Sequence, residues 1–258
     1  MMTKENRQTK IVQLVLQHGN MQVTELAKVF NVSLVTIRKD LAELEKANKL
    51  YRNNGRAVVM NPYVNNKKVL DKENLFTVEK RAIGEYAATL IHPGDSIIIA
   101  SGTTVHALAR AIEPSAGLTV LTSSLEVATI LSEKPQIDIV QLGGILRHSS
   151  LSVVGTTAEM TLKDFLCNKL FMGVDGIDLK LGLTTTNMME AQLNRVMIEK
   201  AQKVIVLADS SKFGKFGFAK IIETNKIDQI ITDSHINAQL ARKIESMGIE
   251  LSIVPVPE

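Results

Sequence analysis

From residue 94 to residue 253 one unit recurs along the chain: a strand-length apolar run, then a stretch with apolar residues at helical spacing. The apolar runs fall at 96–100, 118–121, 138–141, 170–172, 204–207, 229–232 and 250–253. Helical patterns lie at 105–112, 125–131, 158–165, 191–200 and 237–247. Such alternation predicts right-handed βαβ units and a largely parallel sheet, hence an α/β fold. In an open parallel sheet the ligand crevice lies outside the carboxyl ends of the strands. The residues just past the runs are rich in glycine, hydroxyls and charge: Ser101-Gly102-Thr103-Thr104, Thr122-Ser123-Ser124, Gly143-Gly144 with Arg147 behind, Gly173-Val174-Asp175-Gly176-Ile177-Asp178, and Asp209-Ser210-Ser211-Lys212.

Taken singly, each of these loops reads equally well as turns, caps and surface charge. Taken together they read as one site. The 101–104 segment leads into a helix, so free amides and hydroxyls can surround an anion. Lys212 and Arg147 can neutralise a phosphate, and Asp175 and Asp178 can accept hydrogen bonds from hydroxyls. A phosphate at one end and a polyol at the other describes a sugar phosphate.

The first 60 residues differ. They carry ten Lys and Arg against five acids, a charge of +5, while the other 198 carry −2. A basic head on a near-neutral body suggests two domains with different partners. Within the head, Ile11, Leu14, Val15 and His18 stand at helical spacing, ending near Gly19. Thr24 is a candidate N-cap for a second helix through Phe30. After the short Asn31-Val32-Ser33 turn, a third helix runs over 34–48 with Ile37, Leu41 and Leu44 on one face. Two short helices joined by a tight turn make a helix-turn-helix. Val35, Thr36, Arg38 and Lys39 then project from the first turns of the recognition helix, where the major groove is read. Arg38 suits a bidentate pair with guanine and Thr36 a base edge or thymine methyl. Ser33 is either a cap or a base contact. Apolar stretches at 50–52 and 57–59 flank Asn53-Asn54-Gly55-Arg56, a hairpin pattern that predicts a wing with Arg52 and Arg56 at phosphate or the minor groove.

The run Val32-Ser33-Leu34-Val35-Thr36-Ile37-Arg38-Lys39-Asp40-Leu41 resembles the DNA-binding signature of the DeoR family of bacterial transcription regulators. In the body, Ser101-Gly102-Thr103-Thr104, Leu142-Gly143-Gly144, Gly173 to Asp178, Gly182-Leu183-Thr184-Thr185 and Leu207 to Gly214 resemble its sensor domain. The resemblance spans about 4–253. It implies a winged helix-turn-helix followed by a ribose-5-phosphate-isomerase-like α/β sensor domain that binds phosphorylated sugars. It places Ser33, Thr36, Arg38 and Lys39 at DNA, and makes 122–124, 175–178 and 209–212 counterparts of isomerase active-site segments. Three positions depart from the family: Lys39 where Arg is usual, Asn54-Gly55-Arg56-Ala57 where His-Gly-Gly-Ala is usual, and Ala100 where many members have Asp.

The domains expected are a DNA-binding unit at 1–60, a polar connector at 61–77 and an effector-binding domain at 78–258, with a helix over 78–91. The function expected is a transcriptional regulator, a repressor of a carbohydrate operon, that binds operator DNA as a homodimer or higher oligomer. The alternative is a sugar-phosphate isomerase with an appended DNA-binding head, for which Glu190 is the best candidate base. No cofactor, catalytic residue or metal is expected: five histidines and the single Cys167 show no ligand spacing. The N-terminus has no apolar segment of a signal peptide and no run reaches membrane-span length, so a cytoplasmic protein without a membrane partner is expected.

Overall fold

A computed structural model describes residues 3–257 with the exception of 19, 48, 54, 59–67 and 114–116, and of the side chains at 16–18 and 53. The helix end expected at Gly19, the Asn54 of the expected turn, the Val59 end of the wing and the 61–67 part of the connector lie outside the described residues. The chain divides into two compact units, Met1–Tyr63 and Val64–Glu258.

The first unit contains α1 (Lys4–His18), β1 (Asn20–Gln22), α2 (Val23–Phe30), α3 (Leu34–Lys46), β2 (Tyr51–Asn53) and β3 (Arg56–Val58). Ile11 and Val15 from α1, Leu26 from α2, and Ile37, Leu41 and Leu44 from α3 are buried together with Leu50 and Ala57. Asn31 ends α2 in the left-handed region at φ 49°, which turns the chain into Ser33. The Ser33 hydroxyl then accepts from the Thr36 amide and starts α3. Two local expectations are corrected. Thr24 is not the N-cap of α2: the helix starts at Val23, Gln22 precedes it, and the Gln22 amide donates to Glu25 at 2.8 Å. The wing is a three-stranded sheet in the order β1-β3-β2 rather than a lone hairpin. Pairing of Gln22 with Arg56 in that sheet is what fixes where α2 begins.

The second unit opens with α4 (Val69–Glu73) and α5 (Thr77–Ala88). Then come β4 (Ser96–Ile99), α6 (Thr103–Ala111), β5 (Thr119–Thr122), α7 (Leu125–Ser132), β6 (Asp138–Gln141), β7 (Ile145–Arg147), β8 (Ser152–Val154) and α8 (Thr156–Leu162). They are followed by β9 (Cys167–Gly173), β10 (Gly176–Asp178), β11 (Gly182–Thr185), α9 (Met188–Glu199), β12 (Ala201–Leu207), β13 (Ala219–Ile222), β14 (Gln229–Asp233), α10 (Ala238–Ser246) and β15 (Glu250–Val254).

Seven strands form a wholly parallel sheet in the order β15-β14-β12-β9-β4-β5-β6. Successive side chains alternate between two buried layers. Ile97, Ile99, Val120, Phe171 and Ile205 pack with α5, α6 and α7. Ile98, Leu121, Leu170, Met172 and Val206 pack with α8, α9 and α10. Burial on both faces is why these strands read as continuous apolar runs. The chain order reverses between β4 and β9, which makes the gap above their carboxyl ends the topological switch point. Two small sheets stand outside the main one: the antiparallel pair β7-β8 and the antiparallel triplet β10-β11-β13. Among the described residues no helix is long and apolar enough to cross a membrane.

Candidate functional site

On the first unit, inward packing of Ile37, Leu41 and Leu44 leaves Leu34, Val35, Arg38 and Lys39 exposed on the other side of α3. Arg38 has no hydrogen bond or ion pair to another described residue. It lines a cavity of about 310 Å³ together with Leu34, Thr24, Gly55 and Arg56. Recognition helix and wing therefore present two guanidinium groups to one concave surface. Arg56 is steadied there by Asn20, whose Oδ1 accepts from its Nη1 at 2.7 Å. Ser33 is occupied as the helix cap, and its hydroxyl also pairs with that of Thr36 at 2.9 Å. Arg52 is turned toward its own unit: Nε donates to Glu45 at 2.7 Å, which holds that carboxylate below its ordinary range.

On the second unit, the loops after β4 and β9 meet at the switch point. Gly102 takes φ 131°, a region that favours glycine, and its Cα lies 4.0 Å from where a Cβ on Gly173 would stand. Ser101, Gly102, Thr103 and Thr104 line a small cavity with Gly173, Val174, Asp175, Arg147 and Lys212. The first turn of α6 faces it, and the leading amides of a helix have no intrahelical acceptors. That end suits an anion. Two carboxylates stand in the same lining. Asp175 Oδ2 accepts from the Thr186 amide and the Thr185 hydroxyl, each at 3.1 Å. Its Oδ1 accepts from Lys72 at 2.7 Å. Burial pushes the Asp175 carboxyl up, but Lys72, Lys212 and Thr185 outweigh that and hold it below its ordinary range. Glu190, in the first turn of α9, accepts from Ser101 at 2.9 Å and from Thr185 at 3.2 Å, and pairs with Arg147 at 2.5 Å.

Other residues expected at this site lie elsewhere. Asp178 accepts from the Lys180 and Leu181 amides and closes the β10–β11 turn. Gly176 belongs to the sheet core, where a Cβ would come within 2.3 Å of the Lys215 carbonyl. Thr122 and Ser124 are buried and hydrogen-bond locally: Thr122 accepts from the Ser124 amide, and Ser124 caps α7. Ser123 is buried with them, its carbonyl accepting from the Val153 amide. Gly143 and Gly144 turn the chain from β6 into β7, outside the cavity lining.

Sequence reasoning missed Lys72 and Lys80. Lys72 reaches the cavity from α4, inside the stretch read as connector, where no local pattern marks it. Lys80 is buried on α5, and its Nζ donates to the Lys72 carbonyl at 2.5 Å. Burial brings its pKa down to about 8 against the pull of Asp209. Among the described residues no group of three or more His, Cys, Asp and Glu could hold a metal ion.

One unit thus holds a helix-turn-helix with a wing, and the other a small polar cavity at a switch point. The DeoR-like helix-turn-helix domain matches residues 7–62, and the DeoR C terminal sensor domain matches residues 76–234. The chain belongs to the DeoR family. It is 40% identical over 98% of its length, and 94% of the relative's, to an Escherichia coli O157:H7 protein whose name assigns it to repression of the aga operon. It is 34% identical to the transcriptional repressor GlcR of Bacillus subtilis, over its full length and 99% of that protein. An uncharacterized regulator of the same organism, YulB, is 36% identical over 97% of this chain and 96% of its own. Among solved structures, ribose 5 phosphate isomerase A from Neisseria gonorrhoeae is similar over 52% of each chain at 16% identity, with a TM-score of 0.39. As a DeoR-family protein the chain is a DNA-binding transcriptional regulator with a sensor domain.

Proposed function

We propose that this DeoR-family regulator represses a carbohydrate operon and that a phosphorylated sugar, bound in the switch-point cavity, controls its hold on DNA. The observation that carries this reading is the charge of the cavity lining. The α6 N-terminus and Lys212 can meet a phosphate, and two ion pairs in the same lining, Lys72–Asp175 and Arg147–Glu190, offer further cations for its charge and carboxylate oxygens for hydroxyls. The names of the relatives, which refer to repression and to the aga operon, agree with it. The assignment comprises Ser101, Gly102, Thr103, Thr104, Arg147, Asp175 and Lys212, with Lys72 added, as effector-binding residues.

DNA contact is assigned to Val35, Arg38, Lys39 and Arg56, with Arg38 at a guanine and Arg56 at phosphate or the minor groove. Ser33, Thr36 and Arg52 act chiefly by holding α3 and the wing in place. Palindromic operators are read by paired helices, so the working form is a homodimer or a larger homo-oligomer in the cytoplasm. The pocket binds without turnover: Glu190 is committed to Arg147, and Asp175 to Lys72, Thr185 and Thr186, so neither carboxylate is poised as a general base.

The experiment is a gel shift on the upstream region of the protein's own gene, with and without a panel of hexose and pentose phosphates. Retarded DNA at low salt, and a change in that retardation with one class of sugar phosphate, are expected. Absence of binding under every ligand condition overturns the DNA assignment. Binding indifferent to every sugar phosphate overturns the effector assignment.

A further inference from the structure

We propose that α4 is a strap across the effector cavity, and that an effector enters by breaking the Lys72–Asp175 ion pair and lifting α4. The inference rests on the reading of that cavity as the effector site. As it stands the cavity measures about 60 Å³. Small-molecule pockets run roughly 300–1,000 Å³, so a sugar phosphate cannot enter without a wall moving.

The wall with the weakest hold is α4. It has five residues, of which only Val69 is buried, and Leu70 is 60% exposed. Short elements with few buried apolar contacts open at low free-energy cost. Val69 and Lys72 face the small cavity, while Glu73 and Asn74 line a groove of about 950 Å³ on the other side, along α5 and α6. Thr103 lines both spaces. Removing α4 from between them joins the two into one open site of ligand size.

What holds α4 down is polar. Lys72 Nζ sits 2.7 Å from Asp175, the Val69 amide donates to the Ser149 carbonyl at 2.7 Å, Glu73 meets Arg110 at 2.6 Å, and Lys80 donates to the Lys72 carbonyl. A phosphorylated polyol offers replacements for the central pair: hydroxyls for Asp175 and a dianion for Lys72. It therefore binds the lifted state far better than the closed one, which is the condition for a ligand to shift a conformational equilibrium. Among the described residues α4 is the first element after the DNA-binding unit in chain order.

Two measurements on the full-length protein test this, with fructose 6-phosphate and glucosamine 6-phosphate as probes beside inorganic phosphate. Hydrogen exchange at the amides of Val69, Asp71, Lys72 and Leu75 is expected to speed up at least tenfold when the probe saturates. Unchanged or slower exchange on a protein that does bind the probe overturns the strap and leaves the pocket assignment standing. The second is a reversible lock, Val69→Cys with Ser149→Cys, placed where the Val69 amide donates to the Ser149 carbonyl at 2.7 Å; a disulfide spans Cα atoms ~4.4–6.8 Å apart. The oxidised protein is expected to lose probe binding by tenfold or more and the reduced protein to regain it. Equal binding in both states, with the crosslink verified by mass, overturns the strap. No binding of any probe by the wild type overturns the pocket assignment and the strap with it.

Discussion

Arg7 grips Asp40 with two hydrogen bonds, Nε to Oδ2 at 2.6 Å and Nη2 to Oδ1 at 3.1 Å. The pair ties α1 to the recognition helix, and the Asp40 side chain is only 2% exposed. Asp40 sits in the DNA-binding signature, yet it faces away from the solvent side that carries Arg38 and Lys39. Its task is to orient α3. Removing one partner of a buried pair leaves the other charge uncompensated, which costs ~3–5 kcal/mol. Arg7 keeps part of its side chain in solvent, so a value at or below the lower end, about 2–3 kcal/mol, is expected for Asp40→Ala. Thermal unfolding followed by proteolysis should show the first unit melting early and the second unit unchanged. An intact first unit that no longer binds DNA would instead make Asp40 a contact residue.

Arg38→Ala separates contact from support. Arg38 is exposed and pairs with no described residue, so its loss leaves folding untouched. Specific DNA affinity should fall by about 1–3 kcal/mol and the preference at one base position should relax. Arg52→Ala, in contrast, removes the Glu45 pair and a wing anchor, with a smaller and sequence-independent loss. Binding titrations on operator and on mismatched duplexes read both outcomes. A loss of equal size on every sequence would reduce Arg38 to a phosphate contact.

The βαβ body was legible because a parallel sheet buried on both faces writes each strand as an uninterrupted apolar run, as at Ile97, Ile98 and Ile99. The β7-β8 and β10-β11-β13 sheets were not. Their strands are three or four residues long, too short to show an alternating pattern, and β11 also pairs far along the chain, as where Leu183 meets Ile222. The same gap displaced part of the expected site. Asp178 follows a strand-like run, but that run continues into a hairpin whose turn uses the carboxylate. Lys72 was invisible for the opposite reason: a lysine among Asp, Glu and Asn reads as connector, and only the tertiary fold brings it to Asp175, 103 positions away. Ala100, where the family resemblance leads one to expect Asp, is buried in the apolar layer with Ile98 and Leu121.

His106 makes stability sensitive to acid. It is fully buried on α6, with Ser124 Oγ 3.4 Å from Nε2 and Glu73 3.8 Å from Nδ1, while Arg110 and Lys80 lie near enough to disfavour its charge. Burial is the larger cause and brings its pKa down to about 4 from an ordinary 6.5. A depressed histidine pKa means that the unfolded chain binds the proton more tightly. The stability it permits is complete above pH 6.5 and drains as pH falls toward 4. At pH 5 the loss from this group is about 2 kcal/mol relative to pH 8. Denaturant unfolding of the wild type and His106→Gln at both pH values checks this: the variant should show the smaller drop. Equal drops would assign the acid sensitivity to other groups.

Lys212 tests whether the cavity takes the phosphate of its ligand. It follows Asp209, whose carboxylate caps the turn at Ser211, and so it is held at the carboxyl end of β12 beside the cavity. Its charge acts on Asp175 but no described carboxylate pairs with it directly, which leaves its ammonium available to a ligand. Lys212→Ala should leave DNA affinity within twofold of wild type, because it lies in the other unit. Affinity for a sugar phosphate should fall by about 1.5–3 kcal/mol, the worth of a hydrogen bond to a charged group, and affinity for the unphosphorylated sugar should barely change. Calorimetric titration with the paired ligands, alongside a melting curve without ligand, separates the cases. A variant that loses both ligands equally while melting like the wild type would put Lys212 at the sugar rather than at its phosphate, and one that melts far earlier would give Lys212 a structural task.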